Sequence, residues 1–265
     1  MSLRQRLGLL GYWRLFAGEM ITKGIRNLLF EALHGFRGYP VSFGEFCFRL
    51  DASLRRWDSD CETIVRETLV SLIQQGFWVA DIGANFGMHA LVAAEQVGES
   101  GRVFAFEPMP KNANLLRRHA DLNGFAACFV IEEAAVSNSV ESMIEIMAPQ
   151  DALAVTASLH WKVQGTVATQ VRNLRLDDYA AFAERSPDLV KIDVEGAELD
   201  VLRGGERLLS RSHPILLLEV HPRQLASADS QPSEVESLLG DLGYQFAQLQ
   251  KVEGDREYHL LCRPK

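Results

Sequence analysis

Residues 79–87 read V-A-D-I-G-A-N-F-G and join two apolar segments. The segment before them, residues 77–80, is short and typical of a buried strand, whereas residues 88–97 are long enough for a helix. Gly83 and Gly87 therefore indicate a tight turn between a strand and a helix. Because glycine has no side chain, such a turn lets the backbone approach a ligand closely, although glycines at such a junction also serve packing alone. Their G-x-x-x-G spacing differs from the G-x-G-x-x-G of dinucleotide-binding folds.

The rest of the chain alternates between strand patterns and helical patterns. Predicted strands cover residues 102–106, 127–131, 142–147, 166–174, 189–193 and 214–220, and predicted helices cover residues 61–75, 111–122 and 233–242. Residues 244–249 and 258–262 are predicted to close the chain as a hairpin. This alternation favours an α/β fold, in which a mostly parallel sheet carries helices on both faces.

The composition limits the classes of function. The 265 residues are 47% hydrophobic and 23% charged, which is enough for a sizeable core. A formal net charge of −8 argues against a general nucleic-acid binder, so no nucleic-acid partner is predicted. The four cysteines form no C-x-x-C and are predicted to be reduced, buried thiols of a cytoplasmic protein. No apolar run reaches the roughly 18–20 residues of a membrane span, and no signal peptide is predicted.

The first part of the chain has the pattern of amphipathic helices. In residues 1–35, apolar residues recur at three- and four-residue steps with basic residues between them. We therefore predict a helical N-terminal extension over residues 1–40 and a main domain over residues 41–265, which opens with a strand or hairpin at residues 41–50. The extension is predicted to cap the main domain or to form a homo-oligomer interface. Peripheral membrane contact is the alternative, because basic residues flank large apolar ones.

Acidic side chains stand at the ends of four predicted strands. They are Asp81, Glu107, Asp193 and Glu219. Ligands of open α/β sheets bind at the carboxyl ends of the strands, so these groups are expected to line one edge together. Glu107 lies 20 residues after Gly87, where a carboxylate can accept hydrogen bonds from both ribose hydroxyls of an adenosine-type ligand. A helix-capping carboxylate is the alternative interpretation.

Five segments, taken in order, resemble the motifs of FkbM-type S-adenosylmethionine-dependent methyltransferases. They are D-I-G-A-N-F-G (81–87), F-E-P (106–108), A-A-V-S (134–137), V-K-I-D-V-E-G-A-E (190–198) and L-L-E-V-H-P (217–222). The resemblance covers about residues 41–222, and K-I-D-V-E-G-A-E is its most specific part. It implies the class I methyltransferase (Rossmann-like) fold, with a seven-stranded sheet whose last strand runs antiparallel. It also implies methyl transfer from S-adenosyl-L-methionine, usually to a hydroxyl of a sugar, glycan, polyketide or other secondary metabolite.

The resemblance also implies roles for individual residues. Residues implied to bind the cofactor are Asp81, Gly83, Ala84, Asn85, Gly87, Glu107, Pro108, Glu133 and Ala134. Asp81 would attract the methionine ammonium, and Glu107 would bind the ribose. Pro108 would shape the adenine pocket. Glu133 and Ala134 lie where the third strand contacts adenine, although only one of the adjacent Glu132 and Glu133 needs to point inward.

Residues implied to act on the acceptor are Lys191, Asp193, Glu195 and His221. A hydroxyl is a poor nucleophile at its ordinary pKa, so a group that removes its proton helps the transfer. Asp193, Glu195 and His221 are the candidate bases, and Asp193 is expected beside the reacting methyl group. Lys191 is two residues before Asp193 and shares its strand face, so it could pair with Asp193 or Glu219 and tune their charge.

Other interpretations remain open at this stage. The motifs require no metal and none is predicted, although Asp193, Glu195, Glu219 and His221 together could bind a divalent cation. An NAD-dependent oxidoreductase, and a degenerate methyltransferase fold serving as a binding or scaffold module, are the rival functions. RNA or protein methylation lacks a supporting motif. Residues 148–164, which include His160, and the N-terminal helices are predicted to shape the acceptor pocket, but they do not name the acceptor.

Overall fold

A computed structural model describes residues 35–54, 62–149, 166–250, 254 and 256–265. The chain divides into two compact units, Met1–Ser59 and Asp60–Lys265. The predicted N-terminal helices and His160 lie outside the described residues, and the predicted domain boundary between residues 40 and 41 stays a prediction.

In the first unit, the described residues form a hairpin. Strands β1 (Tyr39–Phe43) and β2 (Phe46–Leu50) pair antiparallel, as the sequence predicted, and a 3-10 turn at Ala52–Leu54 follows. Cys47 corrects one expectation, because it is exposed rather than buried. Successive side chains of a strand point to opposite faces. The side chains on either side of Cys47, those of Phe46 and Phe48, therefore share the opposite face, where their rings stack on each other.

The second unit contains the central sheet. Its strands are β3 (Trp78–Ile82), β4 (Arg102–Phe106), β5 (Phe129–Glu132), β6 (Ala135–Val136), β7 (Met143–Pro149), β8 (Thr166–Leu174), β9 (Leu189–Ile192), β10 (Ile215–Val220), β11 (Tyr244–Gln248) and β12 (Tyr258–Pro264). Its helices are α1 (Thr63–Leu72), α2 (Met88–Val97), α3 (Pro110–Leu122), α4 (Ala180–Glu184), α5 (Glu198–Gly204), α6 (Glu206–Ser212), α7 (Pro222–Ser227) and α8 (Pro232–Asp241).

Seven of these strands form one sheet in the order β11-β12-β10-β9-β3-β4-β5. Strands β10, β9, β3, β4 and β5 run parallel, whereas β12 runs antiparallel to both of its neighbours, β10 and β11. The last strand is therefore inserted between β10 and β11. This confirms the predicted seven-stranded sheet with an antiparallel last strand and the predicted C-terminal hairpin.

The central strands are buried on both faces, which explains their nearly continuous apolar sequences. All four residues of β9 are buried, as are all but the first residue of β3 and of β4. Phe104 and Phe106 of β4 pack edge-on against Tyr179 and Phe182, with ring centroids 5.1–6.2 Å apart. These contacts hold the strand that Glu107 directly follows.

A small second sheet lies in the segment that the sequence left least regular. Strands β7 and β8 pair antiparallel, and the short β6 pairs parallel with the end of β8. The sequence predicted β7 and β8 but not β6, α6 or α7. Each of these three elements is short and buries only one or two residues, so none shows a full hydrophobic period.

None of the helices in the described part of the chain combines the length and the apolar character that crossing a bilayer requires.

Candidate active site

The glycine turn after β3 is fastened to the end of β4. The backbone N–H groups of Gly83 and Ala84 both donate to the Phe106 carbonyl, at 3.0 Å each. Gly83 has φ +81°, and a Cβ on it would collide with the carbonyl of Asp193. Gly83 is therefore needed because the chain after β9 approaches the turn closely.

Gly87 has a different role. Its φ is +94°, and a Cβ there would collide with the side chain of Leu116 on α3. The neighbouring Phe86 carbonyl is hydrogen-bonded at 2.7 Å to Nδ1 of the fully buried His119, also on α3. The packing interpretation of the glycines thus fits Gly87, whereas Gly83 belongs to the edge where the strands end.

Glu107 joins the glycine turn to the start of α3. It is 4% exposed, and its carboxylate accepts hydrogen bonds from the backbone N–H groups of Asn85 and Met109 at 2.9 Å and from Asn112 Nδ2 at 3.4 Å. Burial raises the pKa of Glu107 to about 7, against the lowering effect of these hydrogen bonds. Each carboxylate oxygen has two lone pairs, and three of these four are used, so Oε2 of Glu107 can accept one further hydrogen bond from a ligand.

Lys191 stands between two aspartates. It lies opposite Asp81 in the register of β3 and β9, and its Nζ is 3.3 Å from Asp81 Oδ1 and 3.2 Å from Asp193 Oδ2. Burial lowers the pKa of Lys191, but the charges of Asp81 and Asp193 outweigh burial and raise that pKa above its usual range. The predicted pairing with Asp193 is present. Asp81 takes the place of Glu219 as the second partner, because the strand register sets Asp81 beside the lysine.

His221 is held by a buried carboxylate. Glu198 is fully buried, and its Oε1 accepts hydrogen bonds from His221 Nδ1 at 2.7 Å and from the Gly196 backbone N–H at 3.0 Å. The other ring nitrogen, Nε2, lies 3.7 Å from Glu195 Oε2 and 3.9 Å from Asp193 Oδ1. Burial lowers the pKa of His221, but the hydrogen bond to Glu198 and the charge of Asp193 raise it to about 10.

Glu219 and Glu195 complete this acidic group. Glu219 Oε1 is 3.7 Å from His221 Nε2, and Glu219 Oε2 is 3.2 Å from Nε2 of the buried His259 on β12. Glu195 has φ +52° and accepts a hydrogen bond from Gln224 Nε2 at 3.0 Å. Burial is the main cause that raises the pKa of Glu195 to about 7. The sheet topology thus brings carboxylates from the ends of β9 and β10 around one histidine.

Several of the residues described above line a cleft of about 890 Å³, a volume that includes its open mouth. Its lining residues are Glu62, Ile82, Gly83, Asn85, Phe106, Glu107, Pro108, Ala134, Ala135, Val136, Ile146, Asp193, Val194, Glu195, Ala197, Glu219 and His221. Five of them are carboxylates, and none of the described lining residues is Arg or Lys. The cleft therefore favours a cationic or neutral ligand over an anion.

Most of the residues that the sequence singled out meet in this cleft. Those that line it are Gly83, Asn85, Glu107, Pro108, Ala134, Asp193, Glu195 and His221. Those that do not line it are Asp81, Ala84, Gly87, Glu133 and Lys191. Asp81 and Lys191 instead form the buried ion pair described above, and their contacts with a cofactor or acceptor stay predictions.

Neither member of the adjacent pair Glu132 and Glu133 points into the cleft. Glu133 lies 3.1 Å from Arg117, and Glu132 lies 2.8 Å from Arg172 and accepts a hydrogen bond from the Tyr179 hydroxyl at 3.0 Å. Both carboxylates pair with arginines outside the cleft, and the sequence pattern does not predict these ion pairs. Ala134 is the residue of this segment that lines the cleft.

Sequence reasoning missed two residues of the site. Glu62 lines the cleft just before α1, and burial, with the charge of Asp193 adding to it, raises the pKa of Glu62 to about 7. No motif surrounds Glu62, so nothing in the residue pattern pointed to it. Glu198 does lie in the most specific motif, at its last position, and its hydrogen bond to His221 supplies the role that the motif alone did not name.

The sequence of this region also matches a known protein family. A family model described as the methyltransferase FkbM domain matches residues 81–246, which is more than half of the chain. The chain belongs to the FkbM methyltransferase family. This confirms the resemblance read from the five motifs, and it assigns the chain to the S-adenosylmethionine-dependent methyltransferases rather than to the NAD-dependent oxidoreductases.

Two curated proteins are similar to this FkbM family member. The hexuronic acid methyltransferase AglP of Haloferax volcanii is 26% identical over 179 residues, which are 67% of each chain. The protein-L-isoaspartate O-methyltransferase of Methanococcoides burtonii is 31% identical over 85 residues, which are 32% of this chain and 39% of that protein.

Solved structures give a weaker likeness. The crystal structure of methyltransferase FkbM from Methylobacillus flagellatus KT superimposes with a TM-score of 0.47 at 18% identity. The superposition covers 76% of this chain and 51% of that chain, so this FkbM family member spans about half the length of that relative.

Proposed function

We propose that this protein is an O-methyltransferase that transfers the methyl group of S-adenosylmethionine to a hydroxyl of a sugar or glycan. The observation that carries the choice of a hydroxyl is the charge of the cleft. Glu62, Asp193, Glu195 and Glu219 line it, and no Arg or Lys stands among the described lining residues. These carboxylates would repel an acceptor carboxylate, whereas they can accept hydrogen bonds from hydroxyls.

The similarity to a hexuronic acid methyltransferase supports a sugar acceptor. That relative shares 26% identity with this chain over about two thirds of both proteins. A hexuronic acid offers both hydroxyls and a carboxyl group, so the relative alone does not choose between them. The acidic cleft favours the hydroxyl.

The described residues fit S-adenosylmethionine as the cofactor. Glu107 is a buried carboxylate in the cleft wall with one lone pair of Oε2 left over, which suits a hydroxyl donor of a ribose. Pro108, Ala134 and Val136 are apolar residues that line the same cleft, and they suit contact with the adenine. The cofactor, when bound, supplies a methyl group activated by a positively charged sulfonium, and the acidic cleft complements that charge.

The chain's own residues orient the acceptor and remove its proton. Asp193 and Glu195 follow β9 directly and line the cleft, so each could accept the hydroxyl proton. Lys191 holds Asp193 through Oδ2 and leaves Oδ1 toward His221. In this proposal Lys191 is a positioning residue, because it acts on the acceptor only through Asp193. Holding the reactants in line supplies much of the remaining rate enhancement.

A transfer assay with a labelled methyl group tests this proposal. Purified protein is incubated with S-adenosylmethionine labelled in the methyl group and with a panel of neutral sugars, hexuronic acids and their oligosaccharides. We expect label in an alkali-stable product, because a methyl ether resists alkali. Label that is released as methanol by mild alkali would mean a methyl ester and would contradict a hydroxyl acceptor.

A further inference from the structure

Three metal-ligating side chains converge beside the end of β9. One ligand atom each of Asp193, Glu219 and His221 lies within 4.8 Å of the others. Asp193 follows β9, Glu219 is on β10 and His221 follows β10, so three neighbouring positions of the sheet edge supply them. Two carboxylates and one imidazole form a ligand set that divalent cations commonly use.

The ring of His221 has the orientation of a metal-bound histidine. Glu198 fixes Nδ1 through a 2.7 Å hydrogen bond, which directs Nε2 at the carboxylates. His221 is 4% exposed, yet within the described ranges its Nε2 has no hydrogen-bond partner, because the nearest carboxylate oxygens are 3.7–3.9 Å away. A carboxylate that holds the second nitrogen of a histidine is the usual outer support of a metal-bound imidazole.

The spacing of these atoms suits a cation placed between them. A cation bound at its usual distances of 2.0–2.4 Å separates neighbouring ligand atoms by about 3–4 Å. The distances from His221 Nε2 to Asp193 Oδ1 and to Glu219 Oε1, 3.9 and 3.7 Å, are too long for hydrogen bonds but match this separation. His259 holds the other oxygen of Glu219 at 3.2 Å, which leaves Oε1 toward His221.

The negative charge of the neighbouring carboxylates also favours a bound cation. Glu62 and Glu195 line the cleft beside these three residues. Lys191 pairs with Asp81 and Asp193, and His221, whose pKa is raised to about 10, carries a proton that faces Asp193, Glu195 and Glu219. A divalent cation would take the place of the Nε2 proton and bring a second positive charge to these carboxylates. Oxygen-rich ligand sets favour the hard cations Mg²⁺ and Mn²⁺.

We infer that Asp193, Glu219 and His221 form a binding site for one hard divalent cation, such as Mg²⁺ or Mn²⁺, at the acceptor side of the cleft. This departs from the sequence-based expectation of no metal. The role of the cation rests on the function proposed above: it would bind the oxygen of the acceptor hydroxyl and lower the pKa of that hydroxyl. Glu195 would then accept a proton that is easier to remove, because the two oxygens of Asp193 are taken by the cation and by Lys191.

Titration with Mn²⁺, followed by electron paramagnetic resonance, tests the site without any turnover. The signal of free Mn²⁺ should decrease until one ion is bound per chain. Glu219→Gln and His221→Asn remove one ligand each and should weaken Mn²⁺ binding at least about tenfold, and Glu198→Gln should weaken it by roughly 10–100-fold as a supporting residue. Mg²⁺ should displace the bound Mn²⁺.

The control variant is Glu145→Gln, which removes an exposed carboxylate on β7 and should leave Mn²⁺ binding unchanged. Circular dichroism establishes that each variant is folded, and the two ligand variants serve as alternatives if one of them is not. If the folded protein binds no Mn²⁺ at millimolar concentration, or if both ligand variants bind it as tightly as the unaltered chain, the site is overturned.

Binding of S-adenosylhomocysteine by the same preparation separates the two proposals. Protein that binds S-adenosylhomocysteine but not Mn²⁺ overturns the cation site and leaves the methyltransferase proposal standing. Protein that binds Mn²⁺ through Glu219 and His221 but not S-adenosylhomocysteine supports the cation site and contradicts the methyltransferase proposal.

Discussion

Gly83 is the residue on which the geometry of the cleft depends most directly. Its positive φ and the contact with the Asp193 carbonyl mean that it has two separate reasons to be glycine. The first concerns its own backbone conformation, and the second concerns the position of Asp193. Gly124 has nearly the same φ but no such contact, so substitutions at the two glycines can separate the two reasons.

The predicted result for Gly83→Ala is a loss of both stability and cofactor binding, because the new Cβ must displace Asp193. Gly124→Ala is the matched control, since Gly124 has φ +78° and open space around a Cβ. The control should cost about 1–2 kcal/mol of unfolding free energy for the left-handed conformation and leave cofactor affinity unchanged. Urea denaturation and calorimetry measure the two effects. Equal behaviour of the two variants would contradict a role of Gly83 in placing Asp193.

Glu107 gives a pH dependence whose sign follows from its pKa of about 7. Ribose hydroxyls donate to the charged carboxylate, so binding requires Glu107 to be deprotonated, and affinity should rise as the pH rises through about 7. Between pH 6 and pH 8 the change should be about tenfold. Calorimetry with S-adenosylhomocysteine across this range measures it. Glu107→Gln should bind more weakly and lose this slope, and an unchanged slope in that variant would assign it to another group.

At the scale of elements, the pairing of β3 with β9 places an ion pair under the strand ends. Asp81 and Lys191 are register partners, and both side chains are almost fully buried. The motifs predicted both residues but assigned Asp81 to the cofactor. The register of two strands far apart in the chain decides this contact, and the spacing within one motif carries no information about it.

Lys191→Met should destabilise the protein strongly, because it leaves the buried Asp81 and the half-buried Asp193 without their cation. Removing one partner of a buried ion pair costs about 3–5 kcal/mol. The double variant Asp81→Asn with Lys191→Met should recover part of that loss, since one buried charge is removed as well. Denaturant unfolding of the single and double variants checks this. A double variant no more stable than Lys191→Met would mean that Asp81 does not depend on the lysine.

At the scale of the whole molecule, the sheet topology gathers distant carboxylates at one edge. The sequence predicted this edge because Glu107, Asp193 and Glu219 each follow or end an apolar strand, and all three line the cleft. It also predicted the parallel sheet and the C-terminal hairpin, since their periodicities are long and clear. It could not predict Glu62, which lies before a helix and has no motif, nor the turning of Glu132 and Glu133 toward arginines that are close only in the folded chain.

The central claim, that the cleft binds S-adenosylmethionine at Glu107, is tested most directly by calorimetry of S-adenosylhomocysteine with the folded chain. We predict one binding site per chain, a strong loss of affinity in Glu107→Ala, and no change in Glu145→Gln, whose side chain is exposed on β7. The absence of binding by the folded, unaltered protein, or undiminished binding by Glu107→Ala, would contradict the claim.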